Sequence, residues 1–156
     1  MGVTVAVVGA TGMVGREMLS VLAERKFPAD KVVALASPRS VGQKRPFRHG
    51  DRTVAEAEPD AFAGVDIAIF SAGSGPSKTL APAAAERGAV GVDNSSCWRM
   101  DPDVPLVVPE VNADAIANRP KGIIANPNCS TIQMLVALAP IQALSRIEHI
   151  VVSTYQ

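Results

Sequence analysis

One segment of the chain sets a thiol where it can act as a nucleophile. Ala125-Asn126-Pro127-Asn128-Cys129-Ser130-Thr131 joins a short apolar run to an apolar helical pattern. Pro127 disfavours helix at Asn126, and Asn128 is a good N-cap, so Cys129 falls in the first helical turn. The positive end of a helix favours thiolate over thiol. A thiolate adds to a carbonyl carbon and forms a covalent intermediate. Cys129 is therefore a candidate nucleophile; the alternative is a small buried hydrophobe. Cys97, in Asp93-Asn94-Ser95-Ser96-Cys97-Trp98-Arg99-Met100, has no helix start beside it and reads as structural. Its neighbour Arg99 is either a planar fork for phosphate or carboxylate, or an ordinary surface arginine. His49 and His149 lie far from Cys129 in sequence, and no metal-ligand spacing is present.

A second constellation is a glycine turn. Gly9-Ala10-Thr11-Gly12-Met13-Val14-Gly15 follows a β-branched run and opens a helical pattern. This G-x-x-G-x-x-G spacing is a variant of the dinucleotide fingerprint. Gly9 permits the tight turn, Gly12 lets backbone approach a pyrophosphate, and Gly15 lets the helix pack closely on the sheet. The bland alternative is a strand–helix turn with no ligand. About 20 residues on, an NAD site often carries Asp or Glu. Ala36-Ser37-Pro38-Arg39-Ser40 instead offers a cation and two hydroxyls, which suit a 2′-phosphate and favour NADP, unless the segment is simply a solvated loop. Ser71-Ala72-Gly73 follows another apolar run and either borders the cofactor or is a plain loop. Thiol and nicotinamide together imply aldehyde chemistry: addition to a thiohemiacetal, hydride removal to a thioester, then acyl release. That chemistry needs a general base and oxyanion donors.

The elements that position these groups alternate in kind. Strands are expected at 3–8, 32–36, 65–70, 89–92, 106–108, 123–125 and 147–154. Helices are expected after Gly12, over 76–87 with Gly88 closing it, and over 130–144 with Pro140 a kink or early stop. Residues 44–48 and 52–56 flank His49-Gly50-Asp51 as a hairpin. Such alternation gives an α/β fold, a Rossmann-type, mostly parallel sheet flanked by helices.

Composition narrows the classes. The 156 residues are 47% hydrophobic, with 15 Lys+Arg against 15 Asp+Glu. A neutral chain with 4% aromatic residues argues against nucleic-acid binding. No apolar stretch is long enough to span a bilayer, and the N-terminus carries neither a basic signal region nor a myristoylation motif. Two cysteines make no disulfide framework, so a reducing, cytoplasmic setting is expected.

The motifs in order resemble the N-terminal part of the aspartate-semialdehyde dehydrogenases. The resemblance runs through Gly9 to Gly15, Ser37-Pro38-Arg39-Ser40, Phe70-Ser71-Ala72-Gly73, Asp93 to Met100, Val108-Pro109-Glu110-Val111-Asn112, Asn126 to Thr131, and Ser153-Thr154-Tyr155-Gln156. It implies an NADP-dependent, phosphate-requiring interconversion of L-aspartate 4-semialdehyde and 4-phospho-L-aspartate, serving lysine, threonine and methionine biosynthesis. Cys129 would be the acyl-thioester nucleophile and Gln156 a substrate contact. Arg99 would hold phosphate, with Asn128 beside it. Gly9, Thr11, Gly12, Met13, Val14, Gly15, Ser37, Arg39, Ser40, Ser71, Ala72 and Gly73 would line the cofactor. Residues 1–127 would form the NADP-binding domain, and 128–156 the cysteine helix and first strand of a catalytic and dimerisation domain. Family members are about twice as long. The resemblance therefore implies that the catalytic histidine, a substrate-carboxylate arginine, a phosphate lysine and most of a homodimer or tetramer interface lie beyond these residues, leaving the fragment inactive alone. The competing readings are an N-acetyl-glutamyl-phosphate reductase, whose cysteine usually follows Pro-Gly, a non-catalytic nucleotide sensor, or an interaction-only fragment with open sheet edges.

Overall fold

The computed structural model describes residues 2–155. The β-branched run after the N-terminus forms β1 (Val3–Val8), and the glycine turn leads into α1 (Met13–Glu24). The chain returns as β2 (Ala29–Ala36), makes a hairpin of β3 (Lys44–Phe47) and β4 (Gly50–Thr53), and adds the short β5 (Ala55–Glu56). Then follow β6 (Ile67–Phe70), α2 (Ser74–Glu86), β7 (Val90–Asp93), α3 (Pro109–Asn112), β8 (Ile123–Ala125) and α4 (Cys129–Leu144).

Six strands form one sheet in the order β5-β2-β1-β6-β7-β8, with every pairing parallel. Successive side chains of a strand face opposite ways, and β1 shows it. Val5 and Val7 join a core with Leu19 of α1 and Phe47 of the hairpin. Ala6 and Val8 join the opposite core with Leu80, Ala81 and Ala84 of α2. Both faces are covered, as a parallel sheet requires. Because all strands run one way, their carboxyl ends share a single edge.

The structure departs from the sequence reading at several elements. The hairpin ends at Thr53, and Ala55–Glu56 crosses instead to pair with Leu35 and Ala36 of β2. Residues 106–108 form no strand. Leu106 makes only an isolated bridge to Ala125, through Val107 N–H to Ala125 O and Ala125 N–H to Pro105 O, because Pro105 and Pro109 have no N–H with which to extend the ladder on either side. Gly73, at φ +87°, turns the chain early enough for α2 to begin at Ser74 rather than 76. α4 begins at Cys129, one residue early, and ends at Leu144 as expected, so Pro140 is no early stop. The expected strand over 147–154 is not formed: these residues are mostly exposed and paired with no strand of the sheet.

Candidate active site at the carboxyl edge of the sheet

The glycine turn is built as its spacing demands. Gly9 has φ +88°, and its amide, like that of Ala10, donates to Leu35 O at 2.8 and 3.0 Å. A β-carbon on Gly9 would stand 2.8 Å from the Ser71 backbone, so the turn and the loop after β6 touch because this residue has no side chain. A β-carbon on Gly15 would lie 2.1 Å from Gly9 O, so only glycine lets α1 start this close to the turn. Gly12 is different. It is the exposed N-cap of α1, and a β-carbon there would meet only Gly9 O, at 3.3 Å. Packing alone asks less of Gly12; its missing side chain keeps the helix start open. The first amides of a helix have no intrahelical acceptor, and α1 has no acidic residue in its first turn to compete for them. Met13 and Val14 beside them are exposed. This open, donor-rich cradle fits a pyrophosphate.

The end of β2 comes to the same place. Thr11 Oγ1 donates to Ser40 Oγ at 3.3 Å, which ties the glycine turn to the Ser37–Ser40 segment. Pro38–Ser40 form a single 3₁₀ turn in which Arg39 is exposed. Ser71 lies half-buried against the turn, while Ala72 and Gly73 are exposed.

Farther along the edge stand the cysteine and the arginine. Asn128 caps α4: its side-chain oxygen accepts from Ser130 N at 3.0 Å and Thr131 N at 3.4 Å. Cys129 is the first residue of that helix and is exposed, which removes the buried-hydrophobe alternative. Asn128, Ser130, Thr131 and Met134 line a cavity of about 250 Å³ with Val152 and Thr154. Arg99 is half-buried and bound through Nε to Asn126 O at 3.0 Å and through Nη2 to Asn94 O at 3.1 Å. It is no loose surface arginine. Cys97 is also half-buried, and burial, then the Asp93 carboxylate, pushes its thiol above the usual range. A thiol held protonated suits the structural role expected of it.

The edge thus brings together the glycine turn, Ser37–Ser40, Ser71–Gly73, Arg99 and Asn128–Cys129. Gln156 lies outside the described residues. Among the described residues no group of three His, Cys, Asp or Glu side chains could hold a metal ion, and no helix is long and apolar enough to cross a membrane. The sequence reading missed Asp93, Asn94 and Asn126. Asp93 is fully buried; its Oδ2 accepts from Ser95 Oγ at 2.6 Å and its Oδ1 has no partner. Asn126 Nδ2 donates to Asn94 Oδ1 at 2.6 Å. The signal was available: each residue ends or follows an apolar run. Which runs are neighbours is a matter of strand order.

The chain compares closely with known proteins. The family model described as "Semialdehyde dehydrogenase, NAD binding domain" matches residues 4–119. An aspartate-semialdehyde dehydrogenase of Aquifex aeolicus is 58% identical over the whole chain, which covers 46% of that protein. The chain therefore spans less than half the length of this relative. The crystal structure of aspartate semialdehyde dehydrogenase II from Vibrio cholerae, complexed with ASA, superposes with a TM-score of 0.88 at 53% identity, covering 92% of this chain and 47% of that one. The enzyme from Candida albicans, crystallised with NADP, gives 0.76 at 25% identity, covering 94% and 48%. The chain belongs to the semialdehyde dehydrogenase family, whose NAD-binding domain it carries, and it matches the N-terminal part of the aspartate-semialdehyde dehydrogenases.

Proposed function

We propose that the complete protein catalyses the reversible, NADP-dependent and phosphate-requiring interconversion of L-aspartate 4-semialdehyde and 4-phospho-L-aspartate, a step toward lysine, threonine and methionine. One observation carries this reading: Cys129, exposed at the start of α4, shares the sheet edge with a fixed guanidinium and an open glycine turn. The relatives' names and the ligands of the two crystal structures point the same way.

The cradle at Thr11, Gly12, Met13 and Val14 holds the pyrophosphate, with Gly9 and Gly15 shaping it. Ser37, Arg39 and Ser40 hold the 2′-phosphate, which selects NADP. Ser71, Ala72 and Gly73 border the nicotinamide half. When bound, the cofactor supplies a hydride acceptor for aldehyde oxidation and a donor for the reverse. The Cys129 thiolate adds to the aldehyde carbon. Once hydride has left, the acyl group is a thioester on Cys129. Arg99 and Asn128 hold inorganic phosphate; its oxygen attacks the thioester carbonyl, and Cys129 departs as thiolate. Gln156 contacts the substrate. In this scheme residues 1–127 are the nucleotide domain, and 128–156 begin the catalytic and dimerisation domain. The base, the carboxylate-binding arginine and a phosphate-binding lysine come from the length that the relatives have in addition. The 156 residues alone are thus inactive and bind NADP weakly. The working enzyme is a cytoplasmic homodimer or tetramer.

In the complete enzyme, Cys129→Ser abolishes turnover and leaves NADP affinity nearly unchanged. Mass spectrometry of the wild type, mixed with semialdehyde and NADP without phosphate, finds an acyl adduct on the peptide containing Cys129. Turnover surviving in the serine variant refutes the scheme.

A further inference from the structure

The two carbonyls that hold Arg99 come from a matched pair of residues. Asn94 follows β7 and Asn126 follows β8, neighbouring parallel strands with Asp93 opposite Ala125. Each continues its ladder by one bond: Asn94 N–H donates to Phe70 O at 3.0 Å, and Asn126 N–H to Asp93 O at 2.8 Å. Their half-buried side chains then close on each other, Asn126 Nδ2 to Asn94 Oδ1 at 2.6 Å. Across this joined pair lies the guanidinium, with Nε on Asn126 O and Nη2 on Asn94 O. Arginine has five N–H donors in one plane. Two-point attachment fixes that plane and leaves three donors for a ligand. On its other side Asn126 leads through buried Pro127 straight to Asn128 and Cys129.

We propose that the Asn94–Asn126 side-chain pair is a positioning device for the phosphate step. It locks two strand ends together, and so sets the plane of Arg99 in register with the start of the cysteine loop. This rests on the reading of Arg99 as the phosphate holder. Both asparagines act through Arg99 and are positioning residues. Without their bond the ladder bond from Asn126 N–H to Asp93 O still joins the strands, but the spacing of the two carbonyls beyond it loosens, and with it the plane of the guanidinium. Thiol addition and hydride removal, which do not use Arg99, are untouched.

The test uses the complete enzyme with L-aspartate 4-semialdehyde, NADP and inorganic phosphate. Asn94→Leu keeps the branched shape of the side chain, with two bulkier methyl groups, and removes the acceptor. Without phosphate, the burst of NADPH keeps its wild-type amplitude, and NADP affinity is unchanged. With phosphate, kcat/KM for phosphate falls by roughly ten- to a hundredfold. Arg99→Ala lowers the same quantity, and adding Asn94→Leu to it brings little further loss, because residues acting through one another are not additive. If Arg99→Ala leaves phosphate dependence unchanged, the reading of Arg99 fails and takes this proposal with it. If Arg99→Ala has its effect but Asn94→Leu has none, or adds in full, only the positioning role fails. Should Asn94→Leu give no burst, Asn94→Ala, which removes the acceptor without bulk, is judged by the same outcomes.

Discussion

Two thiols thirty-two residues apart show how little residue type decides by itself. Cys129 is exposed at a helix start; Cys97 is half-buried beside a carboxylate that, with burial, pushes its thiol up. Alkylation reads the difference, since thiolate is the reactive form. Iodoacetamide near pH 8 should modify Cys129 first, located by peptide mass spectrometry. The raised Cys97 thiol loses its proton at higher pH than an ordinary thiol does. Its labelling rate should therefore keep climbing beyond pH 9.0, the usual value. Equal rates at pH 8 would contradict this contrast. Arg39 makes a sharper case for specificity. It is exposed at the end of β2, so Arg39→Ala should leave the fold intact. A lost charge-assisted pair costs about 1.5–3 kcal/mol, or roughly ten- to a hundredfold in NADP affinity. NAD, lacking the 2′-phosphate, should lose little in the same titration. Equal losses for both would remove Arg39 from cofactor choice.

At the scale of elements, glycine spacing foretold the contact between α1 and the turn, and here the prediction is steric. Gly15→Ala puts a β-carbon 2.1 Å from Gly9 O, a backbone atom that cannot swing aside. The helix must shift, costing at least about 1–3 kcal/mol of the kind overpacking brings. The thermal midpoint and NADP affinity should both fall. An unchanged midpoint would mean the helix start is not so constrained. The same element was legible because its signals are local: a β-branched run, glycines at fixed offsets, and Leu19 and Leu22 at helical spacing. The Asn128 cap and the apolar run behind it were readable for the same reason. Failures came where pairing is non-local. Residues 106–108 and 147–154 have strand composition, but composition cannot show whether a neighbour offers a free edge. Proline on both sides denied the first a longer ladder, and the second pairs with no strand among the described residues. The Asn94–Asn126 bond was invisible for a related reason. It exists only because β7 and β8 lie side by side, which the linear order of runs leaves open.

At the scale of the whole molecule, all six strands of the main sheet run parallel, so every loop on its carboxyl edge can share a single ligand. The opposite tension lies in α4. Its sequence is apolar on all sides, with Ile132, Met134, Leu135, Leu138 and Ile141 spread around the helix, a pattern proper to a buried helix. Yet none of its residues is fully buried, and Leu144 is 90% exposed. An apolar groove of about 1010 Å³ opens along it, lined by Val111, Leu135, Leu138, Ala139, Ile147 and Ile150. Exposed surface of this kind binds other apolar surface. The 156-residue chain should therefore raise the fluorescence of anilinonaphthalene sulfonate in its native state, or self-associate in sedimentation. Val136→Ser, Ile141→Ser and Leu144→Ser together should reduce either signal. They should move the thermal midpoint only slightly, because these side chains contribute little to the two cores. A polypeptide of the relatives' full length should show weak dye binding, since its additional half would have α4 to cover. A chain of 156 residues that stays monomeric and dark to the dye would mean that α4 is already covered by residues 145–155, and that the groove along it is closed in solution.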